Sequence, residues 1–158
     1  MSSLKEYNSA EHALEYLASP TMLEAARARF DGDPLVEVIE YDLDRPLPTF
    51  PGIDAVVSCF AIHHCSHERK QELYSEVFRV LEPGGVFYNL EHVASPTPEL
   101  HDAFLAALGI TAEQEDQSNQ LLAVEPQLEW LRADGFEQVD CHWKWRELAL
   151  FGGVKPAH

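Results

Sequence analysis

Residues 53–93 read IDAVVSCFAIHHCSHERKQELYSEVFRVLEPGGVFYNLEHV, and the fold is decided there. Ile53 to Phe60 is a near-continuous apolar run, the pattern of a strand covered on both faces within a parallel sheet. Ser66 stands where it can cap a helix, and Leu73, Tyr74, Val77, Phe78 and Leu81 follow at helical spacing. Pro83-Gly84-Gly85 stops that helix, because proline breaks it and glycine takes backbone angles other residues avoid. Val86 to Val93 then reads as a second strand.

Working upstream, Arg45 to Gly52 carries three prolines and reads as loop, while the β-branched run Val36, Val38, Ile39 predicts a short strand ending near Asp42. Ser19-Pro20 is a helix-start signal, followed by Met22, Leu23, Ala26 and Phe30 at helical spacing up to the Asp31–Pro34 stop. Ser9 to Leu17 reads as a further short amphipathic helix. Downstream, helices are predicted over Thr97–Leu108, Thr111–Leu122 and Glu125–Ala133, the last closed by Gly135. Phe136 to Trp145 and Glu147 to Val154 finish as two adjacent strands. The fold class is therefore α/β: a mostly parallel sheet with helices on both faces and an antiparallel C-terminal strand. No repeat, low-complexity tract or linker interrupts the chain, which reads as one domain over residues 1–158.

The 158 residues suffice for a real core, and 46% hydrophobic with 24% charged residues is globular composition. A formal charge of −16 repels phosphate backbones and no basic stripe offsets it, so nucleic acid is not an expected partner. No apolar run approaches the ~20 residues that span a bilayer, and no signal-peptide pattern stands at the start. The chain reads as cytoplasmic, away from membranes, with Cys59, Cys65 and Cys141 as free thiols.

With these elements in place, the chain resembles the class I S-adenosylmethionine-dependent methyltransferases. "RVLEPGGVF" (Arg79–Phe87) is similar to that family's helix–turn–strand signature, and Ile53–Gly85 to its block from fourth to fifth strand. "SPTMLEAARARF" (Ser19–Phe30) resembles the helix after its second strand, and "VEVIEYDLDRPLP" (Val36–Pro48) its third strand and adenine-contacting turn. "LEWLRADGFEQVDCHWKWRELALFGGVKP" (Leu128–Pro156) resembles the closing helix and terminal strand pair. The pieces stand in the family's order from Ser19 onward.

The departure lies upstream of "SPTMLEAA", where the family carries a first strand and a Gly-rich turn. The eight glycines here (32, 52, 84, 85, 109, 135, 152 and 153) are all elsewhere. Leu17 occupies the place of the acidic residue that ends the family's second strand. The resemblance thus implies an internal deletion with its junction near Ala18-Ser19, removing at least a βαβ unit, roughly 30 residues or more. It implies S-adenosylmethionine as cofactor, with Met22 against the adenine ring, Asp42 and Leu43 at its amino edge, and Cys59, Phe60 and Ala61 beneath the sulfonium. Plain core packing is the alternative for Met22 and Phe60. The Gly-rich turn and the acidic strand end hold methionine and ribose, so their loss predicts methyl transfer that is lost or weakened.

Ligands of α/β sheets bind at the carboxyl ends of strands. His63 and His64 follow the first strand of the opening stretch, and Glu91 and His92 end the second. These four are the candidates for a general base acting on a small-molecule acceptor. His63, His64, Cys65 and His67 crowd together, with His92, Cys141 and His142 as further donors. Adjacent ligands such as His63-His64 rarely share one tetrahedral site and no C-x-x-C spacing occurs, so no metal is assigned. Trp143 and Trp145 alternate on a strand and are expected in the core.

In the family's sheet order the missing strand is central. Its loss predicts an open apolar edge at Ile53–Cys59, covered by homodimerisation or by Val36–Tyr41 moving alongside. Two function classes follow: a small-molecule methyltransferase, or a non-catalytic methyltransferase-fold remnant or dimerising assembly module.

Overall fold

A computed structural model describes residues 21–157. The predicted helix Ser9–Leu17, the Ser19-Pro20 start signal and the Ala18-Ser19 junction lie outside them. The chain divides into two compact units, one ending at Asp42 and the other starting at Leu43.

In the first unit, α1 (Met22–Arg29) is capped by Thr21. The Thr21 hydroxyl accepts from Glu24 N at 3.3 Å while the Glu24 carboxylate accepts from Thr21 N at 2.7 Å, a reciprocal capping box. The strand predicted at Val36–Asp42 is not formed: no described strand pairs with this run, and β-branched residues without a ladder stay irregular.

The second unit carries β1 (Ile53–Cys59), a 3₁₀ turn (Ile62–His64), α2 (His67–Val80), β2 (Leu81–His92), α3 (Pro98–Leu108), α4 (Val124–Asp134), β3 (Glu137–Trp145) and β4 (Leu148–Val154). The sheet order is β1-β2-β4-β3. β1 pairs parallel with β2, and β4 runs antiparallel to both its neighbours, so the C-terminal strand is the one reversed member. Ser66 caps α2 as its sequence position suggests, accepting from Arg69 N at 3.1 Å.

The start of β2 differs from expectation. Helix α2 ends at Val80 and the strand begins at once, with Pro83-Gly84-Gly85 as an irregularity inside it rather than a turn before it. Gly84 sits at φ 86°, and a Cβ on Gly85 would lie 2.8 Å from Glu82 O and 3.1 Å from Asp54 O. Only glycines let the chain bulge there and still approach β1.

The core joins Leu73, Tyr74 and Val77 of α2, Val124, Leu128 and Leu131 of α4, and Phe87, Ala149 and Phe151 of the sheet. The helices of this core cover one face of the sheet; α3 reaches the end of the other, its Phe104 lying against His92 and Trp145, while Tyr88, Leu90 and Leu150 on that face are half-buried. Several expectations change accordingly. Among the described residues β1 is an edge strand, and Val57 on it is 74% exposed. Trp143 and Trp145 are 48% and 41% exposed, outside the core. Residues 111–122 form turns, not a helix, because their polar side chains hold the backbone locally. Thr111 N donates to the Gln114 side chain at 2.9 Å and Ser118 N to Asp116 Oδ1 at 2.9 Å.

Candidate functional site

The topology gathers four ends of chain on one rim. Parallel β1 and β2 deliver the 61–65 turn and Glu91-His92 to the same edge, and antiparallel β4 starts there, with Leu148 opposite His92. Glu147, immediately before β4, is thereby placed beside His92 although 55 residues separate them.

Two buried carboxylates organise the imidazoles. Glu91, fully buried, accepts from His63 Nδ1 at 2.5 Å and from the His92 backbone N–H at 3.0 Å. Glu147, also fully buried, accepts from His92 Nε2 at 2.9 Å and from His101 Nδ1 at 2.9 Å. With a carboxylate as acceptor, the bonded ring nitrogen carries the proton and the other nitrogen keeps its lone pair when the ring is neutral. His63 Nε2 and His92 Nδ1 are those free acceptors. His64 is exposed; the Ser118 hydroxyl gives its proton to Asp116 at 2.7 Å and accepts from His64 Nδ1 at 3.0 Å.

Lys70 locks the turn that bears His63 and His64. Its ammonium, 1% exposed, donates to the carbonyls of His63 (3.3 Å), Cys65 (2.5 Å) and Gln120 (2.6 Å). Burial pushes the Lys70 ammonium below its ordinary range and the Cys65 thiol above its own. Arg69 makes a second clamp. It holds Glu76 by two bonds of 2.7 and 2.8 Å and donates to Leu43 O (2.7 Å) and Arg45 O (2.8 Å), fixing the loop that carries Leu43.

The structure brings His63, His64, His92 and Phe60 to one cavity of about 370 Å³, walled by Phe104, Leu105, Leu108, Ile110 and Leu148. The rings of His63 and His92 stand 5.9 Å apart between centroids. Phe60 holds a left-handed backbone, φ 49°, with its N–H on Leu90 O at 2.8 Å. A bulky residue keeps such a conformation at a cost of about 1–3 kcal/mol, which concentrates at functional sites. Leu43, Cys59 and Ala61 line a different, apolar cavity of about 280 Å³ with Val56, Leu73 and Phe87. The Ser58 hydroxyl on that lining is buried and has no hydrogen-bond partner. Met22, 80% exposed, and Asp42, exposed, belong to the first unit.

Among the described residues no group of three His, Cys, Asp or Glu is arranged to hold a metal ion. None of the described helices is long and apolar enough to cross a membrane. Glu147, His101 and Lys70 escape sequence reading because their roles arise only from strand pairing and burial.

The Glu147–His101 contact carries a pH signature. Burial works to raise the Glu147 carboxyl, but hydrogen bonds from Ser95, His92 and His101 outweigh it and hold it below its ordinary 4.5. His101 is raised above its ordinary 6.5, first by its bond to Glu147 and against the pull of burial. The carboxylate's contribution to stability is complete above 4.5 and is lost as pH falls through its lowered value. The imidazole's contribution is complete below 6.5 and is lost as pH rises through its raised value. The pair is therefore worth most between pH 4.5 and 6.5. Melting curves across pH should show His101→Gln losing stability chiefly in that window. A loss that is uniform across pH contradicts the assignment.

A family model described as a methyltransferase domain matches residues 2–89. A demethylmenaquinone methyltransferase of Clavibacter sepedonicus is 32% identical in an alignment that covers 94% of this chain and 66% of that protein. Among solved structures, an O-methyltransferase family protein of Burkholderia thailandensis superposes with a TM-score of 0.65 at 20% identity, over 87% of this chain and 42% of that one. An S-adenosylmethionine-dependent methyltransferase, SibL, crystallised in its apo form, superposes with a TM-score of 0.62 at 19% identity, over 87% of this chain and 41% of that one. At such identities the likeness to the solved structures is one of fold. The chain spans 66% of the length of the Clavibacter relative.

Proposed function

This chain belongs to the methyltransferase domain family, of the class I S-adenosylmethionine-dependent kind, and on that premise we propose that it is built for methyl transfer to a small-molecule acceptor, with that activity lost or severely weakened. The observation that carries the reading is the cavity at the carboxyl ends of β1 and β2, faced by two imidazoles that each lean on a buried carboxylate. His63 and His92 are the groups to receive an acceptor's proton, His64 stands at the rim, and Glu91 and Glu147 orient the rings and neutralise the charge that develops.

The described residues fit only part of S-adenosylmethionine. The cavity of Leu43, Cys59 and Ala61 is apolar and has no charged side chain in its lining, which suits an adenine ring and leaves a carboxylate, an ammonium and a ribose diol without partners. The sequence has no Gly-rich turn to supply them. No methyl-transfer step is therefore assigned to this chain.

The place of β1 favours a second reading, a remnant that serves as an assembly module. Its outer edge has no strand partner among the described residues, and Val57 projects from it exposed. Such an edge is a template for another strand, here a second copy, giving a homodimer in the cytoplasm without nucleic acid or membrane. Light scattering of the wild type and of Val57→Lys tests this: dimer and monomer respectively are expected, and a monomeric wild type overturns it.

The principal test is calorimetric titration with S-adenosylmethionine and S-adenosylhomocysteine. The expected result is binding weaker than about 1 mM, with no thermal shift. Micromolar binding, about −8 kcal/mol, overturns the weakened-activity reading and makes the acceptor the next object of search.

A further inference from the structure

We propose that residues 111–119 are a latched wall of the histidine cavity, held shut by one proton on His101 and released when that proton leaves. The device controls entry to the cavity and goes beyond the methyltransferase reading.

Gln114, Glu115, Asp116 and Asn119 line the cavity that His63 and His92 face. Residues 111–119 bond largely to one another, so they move as one piece. Gln114 N donates to Thr111 O at 3.0 Å, Gln117 Nε2 to Glu115 O at 3.0 Å, and Asn119 N to Asp116 O at 3.2 Å. Backbone anchors stand on either side. Ile110 N donates to Leu105 O at 3.1 Å, and Gln120 N to His63 O at 2.8 Å. Between those anchors, two side-chain contacts among the described residues tie the wall to the body of the unit. One joins Glu115 to His101 Nε2 at 3.2 Å, the other the Ser118 hydroxyl to His64 Nδ1 at 3.0 Å.

The His101 ring, on α3, lies between two carboxylates, with Nδ1 on Glu147 at 2.9 Å and Nε2 on Glu115. An ionised carboxylate only accepts, so both contacts are hydrogen bonds only when both ring nitrogens carry hydrogen. A neutral ring has one N–H to place. Glu147 is fully buried and has no water to turn to, whereas the Glu115 side chain is 17% exposed on a surface turn. The remaining hydrogen therefore stays on Nδ1, and the Nε2 lone pair is left facing the Glu115 carboxylate. Attraction becomes repulsion, and Glu115 turns out to water. What then holds the wall is Ser118 on His64, a bond between exposed groups that water replaces readily.

The charges around the latch set its sign. Glu147, ahead of β4, and Glu115, on the wall, face His101, while His92 of β2 meets the other oxygen of Glu147. The wall also carries Glu113 and Asp116, the latter facing His64 and His63, and it has no Lys or Arg. The bond to Glu147 first, and Glu115 after it, hold His101 above its ordinary 6.5 against the pull of burial. The latch is therefore closed below 6.5 and opens as pH rises through the raised value.

The test is backbone amide relaxation of the full chain, recorded about one pH unit below and about one unit above the midpoint of the His101 ring resonances. Below the midpoint, the amides of residues 112–118 should be as rigid as those of β2. Above it they should lose that rigidity while β2 keeps it. Glu115→Gln should hold the wall rigid at both pH values, because an amide accepts from the charged ring and donates to the neutral one. Glu115→Ala should leave the wall mobile at both. Mobility of 112–118 that does not change across the His101 midpoint overturns the proposal, as does a change that persists in Glu115→Gln. A wall in Glu115→Ala as rigid as the wild type below the midpoint overturns it too. No cofactor or acceptor enters the measurement, so its failure leaves the methyl-transfer reading where it stands.

Discussion

Replacing Gly152 by alanine should unfold the sheet at its centre and lower stability by more than about 3 kcal/mol, the upper range for overpacking. Gly152 lies in β4 opposite Tyr88, where β2 and β4 run antiparallel. A Cβ built there would stand 1.9 Å from the Phe87 carbonyl oxygen and 3.0 Å from Tyr88 Cδ1. The first contact is with backbone, so no side-chain rotation relieves it, and the ladder that holds Glu91 and His92 must shift. For a chain of this size the cost corresponds to a melting point lower by roughly 6–12 °C. Gly52→Ala is the contrasting variant: its φ is 66° and nothing lies within 4 Å of the added Cβ. It should lose only the 1–2 kcal/mol, roughly, of a left-handed residue. Equal melting points for the two variants contradict the close approach of β2 and β4.

The strand and helix pattern from Ile53 onward was legible because each element carries its own local signal. β1 is an apolar run, α2 has a Ser66 cap and a periodic stripe, α4 ends on Gly135 in the left-handed region, and β3 and β4 alternate around a tight turn. The reading failed where pattern had no tertiary partner. Val36–Asp42 has strand composition and no strand beside it. Residues 111–122 have helical composition, but the side chains of Asp116 and Gln117 bond to nearby backbone instead. The two tryptophans share a strand whose neighbours on the half-buried face are too few to enclose them.

The site was half legible for the same reason. His63, His64, Glu91 and His92 stand at strand ends, and strand ends of a parallel pair meet by topology. Their partners could not be read. Glu147 occupies a two-residue turn with no motif, and only the antiparallel return of β4 puts its carboxylate on His92 and His101. Of the residues associated with cofactor, Phe60 lines the histidine cavity, while Cys59 and Ala61, its direct neighbours, line the apolar one. Alternation along the chain at the end of β1, accentuated by the left-handed Phe60, divides them.

Lys70→Met is expected to cost about 2–3 kcal/mol and to loosen the histidine turn. The substitution keeps volume and removes a charge, and burying an unpaired ammonium is costly, so relief of that cost opposes the loss. The loss should win. Lys70 has three carbonyl acceptors, and hydrogen bonds to a charged group contribute about 1.5–3 kcal/mol each. Without it, His63 O keeps its bond from Gln120 N at 2.8 Å, but the 61–65 turn and the 116–120 wall are then joined there by a single backbone bond and by His64 to Ser118. Two measurements separate anchoring from generic core damage. Urea unfolding gives the stability change, and the imidazole resonances of His63 and His64 report the turn directly. The expected variant is folded, less stable, and altered at both imidazoles, with His101 on the far side of Glu147 unmoved. If His63 and His64 keep their wild-type resonances, the turn does not depend on the ammonium, and the bond from Gln120 N to His63 O suffices to hold the cavity wall.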